Sequence, residues 1–408
     1  MIRNALLATL LITATGRAEN PPDTMQLLDK HLYGFSYDKD AISGRGADFL
    51  RTETENSQFV LLGEQHMDHA IPVFSGALYR MLHDTHGFRH LVVEQDPVAI
   101  EDAISPELRG KPEKIARLSK RYPSLFEFDS DEDLTLLATV GQLEGNPDAI
   151  WGVEQATGAV RYLEELLLLA PNQATRRKTQ TLLDKARAMD HEPKYSVNWL
   201  IAASTPAEIS ALSSEFNAEK DTRAAWLLAA LTKSSEIFGY YRRAEAGEFV
   251  GLFNNTVREE TLKKNFIEKY RNSAKREVLP KAMFKFGSNH LYHGKNPTQA
   301  FPIGNMAHEF AIVNGMQAYG IYVISLGPNY ASYKDYPDWM RPLLPIREPE
   351  FPTLVDLRGL RPYQRLYREK VPSEDQWQFR DFINGYDAVI ILPNSKPATR
   401  VLGGRVNY

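Results

Sequence analysis

Two short apolar runs that each end on a charged group constrain this chain more than any other feature. Phe59-Val60-Leu61-Leu62 runs into Gly63-Glu64-Gln65-His66, and Leu91-Val92-Val93 runs into Glu94. Between them, Ile71 to Thr85 predicts a helix. Val73, Phe74, Ala77, Leu78, Met81 and Leu82 fall on one stripe, and Pro72 sits in the first turn, where its missing N–H is tolerated. Gly87 is placed to end it. A helical crossover of this length joins parallel strands, so residues 59–94 read as one βαβ unit.

More runs of the same kind follow. Ala149–Val153 leads into Glu154-Gln155, and Ala282–Phe286 into Gly287-Ser288-Asn289-His290. Ile321–Leu326 stops at Gly327-Pro328, and Ala388–Leu392 at Pro393. Strands separated by long helical stretches imply an α/β fold: a mainly parallel central sheet flanked by helices. From about Gly158 to Lys275 no strand pattern is visible. Leu163–Ala170, Thr175–Asp190, Pro206–Asn217, Arg223–Thr232 and Glu236–Lys264 read as helices, so residues 158–275 are expected to form a helical insertion or lid. The α/β domain is then 19–157 together with 276–408. Tyr336 to Pro352, rich in proline and aromatic residues, reads as an extended loop.

Residues 1–18 have the pattern of an export signal: Arg3, then a short apolar run from Ala5 to Ala14, then the small residues Gly16-Arg17-Ala18. That run is too short to span a bilayer, and no later run is long enough either, so a soluble secreted or periplasmic chain with no transmembrane segment is expected. The sequence holds no cysteine, which removes disulfides, thiolate metal sites and thiol nucleophiles. A net charge of −4, from 48 basic and 52 acidic residues without a basic stripe, argues against nucleic acid as a partner and leaves a small-molecule substrate. Oligomeric state is not encoded in any visible pattern.

In a parallel sheet, groups just beyond the carboxyl ends of the strands gather on one rim, where such sheets bind ligands. Four strands would therefore bring Glu64 and His66, Glu94, Glu154, and Asn289 and His290 to one edge. A histidine flanked by carboxylates becomes more basic. His66 can then take a proton from water, with Glu64 or Glu94 orienting it, and His290 can donate to an oxyanion or a leaving group. His293, in the same polar cluster, and His69, close to His66, are secondary candidates. No Gly-x-Ser-x-Gly elbow, phosphate loop, His-Glu-x-x-His or Gly-x-Gly-x-x-Gly pattern is present.

These residues resemble the erythromycin esterase-like family, which shares a clan with ChaN-like haem-binding proteins and Tiki-type metalloproteases. The likeness runs through Gly63-Glu64-Gln65-His66, His86 to Glu94, Trp151-Gly152-Val153-Glu154-Gln155, Arg258-Glu259, Phe286 to His290, and Tyr386 to Pro393. It implies an exported hydrolase that cleaves an ester or lactone with a histidine-activated water supported by glutamates. Glu64, His66, Glu94 and His290 would form the catalytic set, with Arg258 as helper and no cofactor required. The close spacing of Glu64 and His66 is more similar to the Tiki and ChaN branches. These imply two alternatives: a hydrolase or protease dependent on a divalent metal, or a periplasmic haem- or ligand-binding protein using His66–His69 and His290–His293.

Overall fold

The computed structural model describes residues 22–190, 199–216, 222–251, 253–328, 331–345 and 347–399. The proposed export signal at 1–18 lies outside the described residues.

Among the described residues ten strands follow in chain order. They are β1 (Leu32–Gly34), β2 (Ser36–Tyr37), β3 (Ile42–Ser43), β4 (Ser57–Glu64), β5 (His90–Val93), β6 (Ile150–Gly152), β7 (Ala282–Gly287), β8 (Gln317–Ser325), β9 (Thr353–Asp356) and β10 (Ala388–Leu392). β2 and β3 pair only with each other, and the other eight form one sheet in the order β1-β9-β10-β8-β4-β7-β5-β6. The six strands from β10 to β6 run parallel, while β9 is antiparallel to both β10 and β1. The mainly parallel α/β fold read from the sequence is the fold observed.

β4 lies in the middle and is buried along its whole length, which explains the apolar run Phe59–Leu62 at its centre. Its side chains alternate between two cores. Val60 and Leu62 face a cluster with Phe74, Leu78, Leu134 and Leu137, whereas Phe59 and Leu61 face one with Phe266, Phe284, Ile303 and Phe382. The helix after β4 spans Ala70–His86. Asp68 accepts from the free N–H groups of Ala70 and Ile71 at 2.8 and 2.9 Å, and Gly87, at φ 72°, ends the helix in the left-handed conformation.

Between β6 and β7 the described residues are helical. Leu163 and Leu227 from this stretch pack into the core on one face of the sheet, and Leu262, Phe266 and Tyr270 into the core on the other. The stretch therefore wraps around the end of the sheet, and its last helix, Phe253–Ser273, covers the second face. One expected boundary was misplaced. Arg223–Thr232 belongs to a single helix, Thr222–Glu245, and the break comes at the left-handed Gly247 and Gly251. Ser234 and Ser235 do not break it because both are buried, and the Ser235 hydroxyl bonds to the Ser204 carbonyl at 3.2 Å. β8 begins at Gln317, ahead of the expected Ile321. The Tyr336–Pro352 stretch carries one 3-10 turn, Arg341–Leu343, and otherwise no regular element.

Candidate active site

The order β6-β5-β7-β4 places the carboxyl ends of these four strands side by side. Register makes the juxtaposition specific: Glu64 pairs with Gly287, and Val93 with both Lys285 and Gly152. Glu64, His66, Glu94, Glu154 and His290 consequently meet on one rim, joined by Arg258 from the Phe253–Ser273 helix.

Their contacts form two ionic groups. At the β4 end, Lys285 is only 6% exposed, and its Nζ donates to Glu64 and to Asp133, each at 2.8 Å. Burial alone would discharge this lysine, but the two carboxylates hold it charged, above its usual range. Asp133 is fixed by the start of the Asp131–Glu144 helix, where its carboxylate accepts from the Ser130 hydroxyl at 2.6 Å. At the β5 and β6 ends, Arg258 clamps Glu154 through Nε (3.0 Å) and Nη2 (2.6 Å) and reaches Glu94 at 2.8 Å. The second Glu94 oxygen accepts from the Gly287 N–H at 2.7 Å.

His290 closes this group. Its Nδ1 lies 2.6 Å from Glu259, and its Nε2 lies 3.2 Å from Glu94. Burial lowers its basicity, but Glu94 and Glu259 outweigh that and push its pKa up to about 10. His290 is thus an imidazolium whose two N–H groups are both committed to carboxylates. This differs from the expected free donor: reaching an oxyanion would require it to release Glu94. Glu94 is in turn held well below the ordinary carboxylate range; burial opposes this, but His290, His66 and Arg258 prevail.

His66 is different. It follows β4 on a loop, and its side chain is 34% exposed. Nδ1 lies 3.2 Å from Glu64, and Nε2 lies 3.7 Å from Glu94, too far for a direct hydrogen bond. One ring face stacks on Phe128, with centroids 4.0 Å apart. Burial depresses its pKa, but the bond from Glu64 and the charges of Glu94 and Glu64 raise it overall. The ring sits so close over Gly287 that a Cβ there would come within 2.5 Å of Nε2, so only glycine fits. The next residue, Met67, is left-handed at φ 63°, a conformation that costs a residue with a side chain energy. A strap from near the chain's end holds the loop in that shape: Ala398 N–H bonds to the Met67 carbonyl at 2.8 Å, and His69 N–H to the Lys396 carbonyl at 3.0 Å.

Two candidates lie outside this arrangement. His69 bonds to Glu132 at 2.6 Å. His293 stacks on His308 at 4.2 Å and faces Glu309. Other participants escaped sequence reasoning. Lys285 had a signal, since a charge inside the buried run Met283-Phe284-Lys285-Phe286 demands a partner. Glu259 adjoins Arg258 on one helix. Asp133 lies in the acidic first turn of a helix capped by Ser130, and Glu127 and Phe128 lie in an irregular stretch with no local signature.

The donor set does not fit a divalent ion. Glu64, Glu94 and Glu154 already neutralise Lys285 and Arg258, and both His290 nitrogens are occupied. Among the described residues no group of three or more His, Asp or Glu is arranged to hold a metal. A surface cavity of about 540 Å³ between Lys263, Lys264, Arg271 and Met306 shares no lining residue with these groups.

No family model and no curated protein matches the sequence. Solved structures do. A histidine-to-asparagine mutant of the erythromycin esterase EreC, in its open conformation, superposes with a TM-score of 0.56 at 13% identity, over 87% of this chain and 95% of that one. The fold is that of an erythromycin esterase. A Bacillus cereus protein aligns with a TM-score of 0.56 at 13% identity, over 93% of this chain and 99% of its own. A succinoglycan biosynthesis protein aligns with a TM-score of 0.54 at 12% identity, over 92% and 97%. Near-complete coverage on both sides means that the sheet and its helical additions share one architecture with these proteins. Among the described residues no helix is long and apolar enough to cross a membrane.

Proposed function

We propose that this chain is an erythromycin esterase-like hydrolase that cleaves an ester or lactone by direct attack of water. The observation that carries this reading is the setting of His66, an exposed imidazole oriented through Nδ1 by Glu64, with Nε2 directed to the rim where Glu94 waits 3.7 Å away. A water bridging Nε2 and Glu94 is held by two acceptors and presents its lone pair outward. As it attacks the carbonyl carbon, its proton passes to Nε2, and the imidazolium that forms is stabilised by Glu64 and Glu94. Arg258, fixed by Glu154 and 24% exposed, supplies positive charge near the developing oxyanion. Collapse breaks the carbonyl–oxygen bond and yields a carboxylic acid and an alcohol.

The likeness to EreC supports the reaction class, and the paired carboxylates support a route without metal. Residues 1–18 support export; amino-terminal sequencing of protein recovered from the secreted or periplasmic fraction tests that placement. For the chemistry, purified protein is assayed on an aryl ester and a lactone. Hydrolysis that falls by at least about 10²-fold in His66→Ala is the expected result, and a variant with full activity rules out His66 as the base.

A further inference from the structure

The charges around the rim do not balance. Five carboxylates (Glu64, Glu94, Glu154, Glu259 and Asp133) face three fixed cations, Arg258, Lys285 and His290. A surplus of negative charge favours any neighbour that can bind a proton. Two groups there have that freedom. One is His66. The other is Glu127, whose carboxylate has no hydrogen-bond or ion-pair partner among the described residues.

Glu127 is held in place by its backbone. Gln95, directly after Glu94, accepts from the Glu127 N–H at 2.9 Å and donates to the Phe128 carbonyl at 2.7 Å. Phe128 is the ring that stacks on His66. One amide side chain thus ties the Glu127 backbone both to the strand end that carries Glu94 and to the wall of the His66 ring. The half-buried Glu127 carboxyl group is within electrostatic reach of Arg258, Glu154, Glu94 and His66. A carboxyl group in these surroundings, its backbone fixed by Gln95, fits a proton-transfer role better than a packing role.

From this arrangement, and resting on the hydrolytic reading above, we infer that Glu127 is the general acid that protonates the leaving alcohol while His66 takes the proton of the attacking water. In this step the carbonyl–oxygen bond breaks, the leaving oxygen takes the Glu127 proton, and Glu127 becomes a carboxylate. The proton that His66 received returns to it through water. Burial, reinforced by the charges of Glu154 and Glu94 and opposed by Arg258 and His66, pushes the Glu127 pKa up to about 7, so the acid form is populated at neutral pH.

The role predicts a dependence on the leaving group. With an alkyl ester the departing alkoxide needs a proton, whereas a nitrophenolate does not. In Glu127→Gln, kcat/KM for the alkyl ester falls on the order of 10²-fold and the alkaline limb of its pH profile disappears, while kcat/KM for the nitrophenyl ester changes less than about threefold. Glu127→Asp recovers part of the loss. Equal loss on both esters, or an unchanged alkaline limb, overturns the inference. Failure of His66→Ala to slow either ester would instead remove His66 as the base, and a native protein that cleaves neither ester would overturn the hydrolytic reading. A second measurement needs no turnover. The infrared band of a neutral carboxyl should titrate near neutral pH in the native protein and be missing from Glu127→Gln, which must keep the native circular dichroism. If no such band separates the two proteins, Glu127 holds no proton to give.

Discussion

The rim contains two kinds of charged group. The framework at the strand ends is closed: Lys285 lies between Glu64 and Asp133, Arg258 between Glu94 and Glu154, and His290 between Glu94 and Glu259. The loop-borne groups are open: His66 is a third exposed with a long contact to Glu94, and Glu127 has only its backbone tied down. The first kind is rigid and holds its protons fixed near neutral pH. In the proposed mechanism the second exchanges them. The comparison separates positioning from chemistry, and each prediction below acts on one side of it.

The largest effect belongs to the framework. Lys285→Met leaves Glu64 and Asp133 buried without their cation, and breaking a buried pair in this way costs about 3–5 kcal/mol. Chemical denaturation should show a loss of that size; a loss below about 1 kcal/mol would mean that water reaches this group.

The next effect crosses the division. Glu94→Gln removes a partner of the proposed attacking water and one of the charges that raise the His66 pKa. Its kcat/KM should fall on the order of 10²-fold, and the acid limb of the pH profile should shift to lower pH. A rate loss without that shift would disconnect Glu94 from His66.

Stability itself should depend on pH through His290. Its folded pKa, about 10, is raised above the unfolded value of about 6.5. The stabilisation is therefore complete below the unfolded value and is lost as pH rises through the folded one. Melting temperature should decline between roughly pH 6.5 and 10, and His290→Gln should flatten that decline. A native slope that survives the substitution would assign it to another group.

The smallest effect tests the wall beside the base. Phe128→Leu removes the stacking on His66, worth about 0.5–1.5 kcal/mol for aromatic pairs. Activity should fall less than about tenfold with stability nearly unchanged; a larger loss would place Phe128 in the framework.

How much of this was legible in the sequence follows from the same physics. Strands buried on both faces are written as continuous apolar runs, so β5, β7 and β10 were readable almost to the residue and β4 by its apolar centre, two residues short at each end, and the charged groups behind them followed from strand direction. β1 and β9 were not, because three or four residues at an antiparallel edge leave no period to detect. The break expected between Thr232 and Glu236 is absent, because Ser234 and Ser235 are buried and a hydroxyl bond to the Ser204 carbonyl holds the stretch helical. Arg258 became visible only through the family resemblance. Asp133, Glu127 and Phe128 join the site only through folding: Asp133 from the first turn of a helix, Glu127 and Phe128 from the irregular stretch before it, which has no local signature. The distinction between closed and open groups was equally hidden, since His290 and His66 carry the same label in the sequence and each meets two carboxylates; they differ in how closely those carboxylates approach and in exposure.

The most direct test of the account is the pH dependence of kcat/KM for a nitrophenyl ester, measured on the native protein and on His66→Ala. The account predicts an acid limb in the native protein above the usual histidine value of about 6.5, reflecting the carboxylates around His66. It also predicts the disappearance of that limb, with at least about 10²-fold lower activity, in the variant. A variant that keeps both the rate and the limb would show that the base is elsewhere.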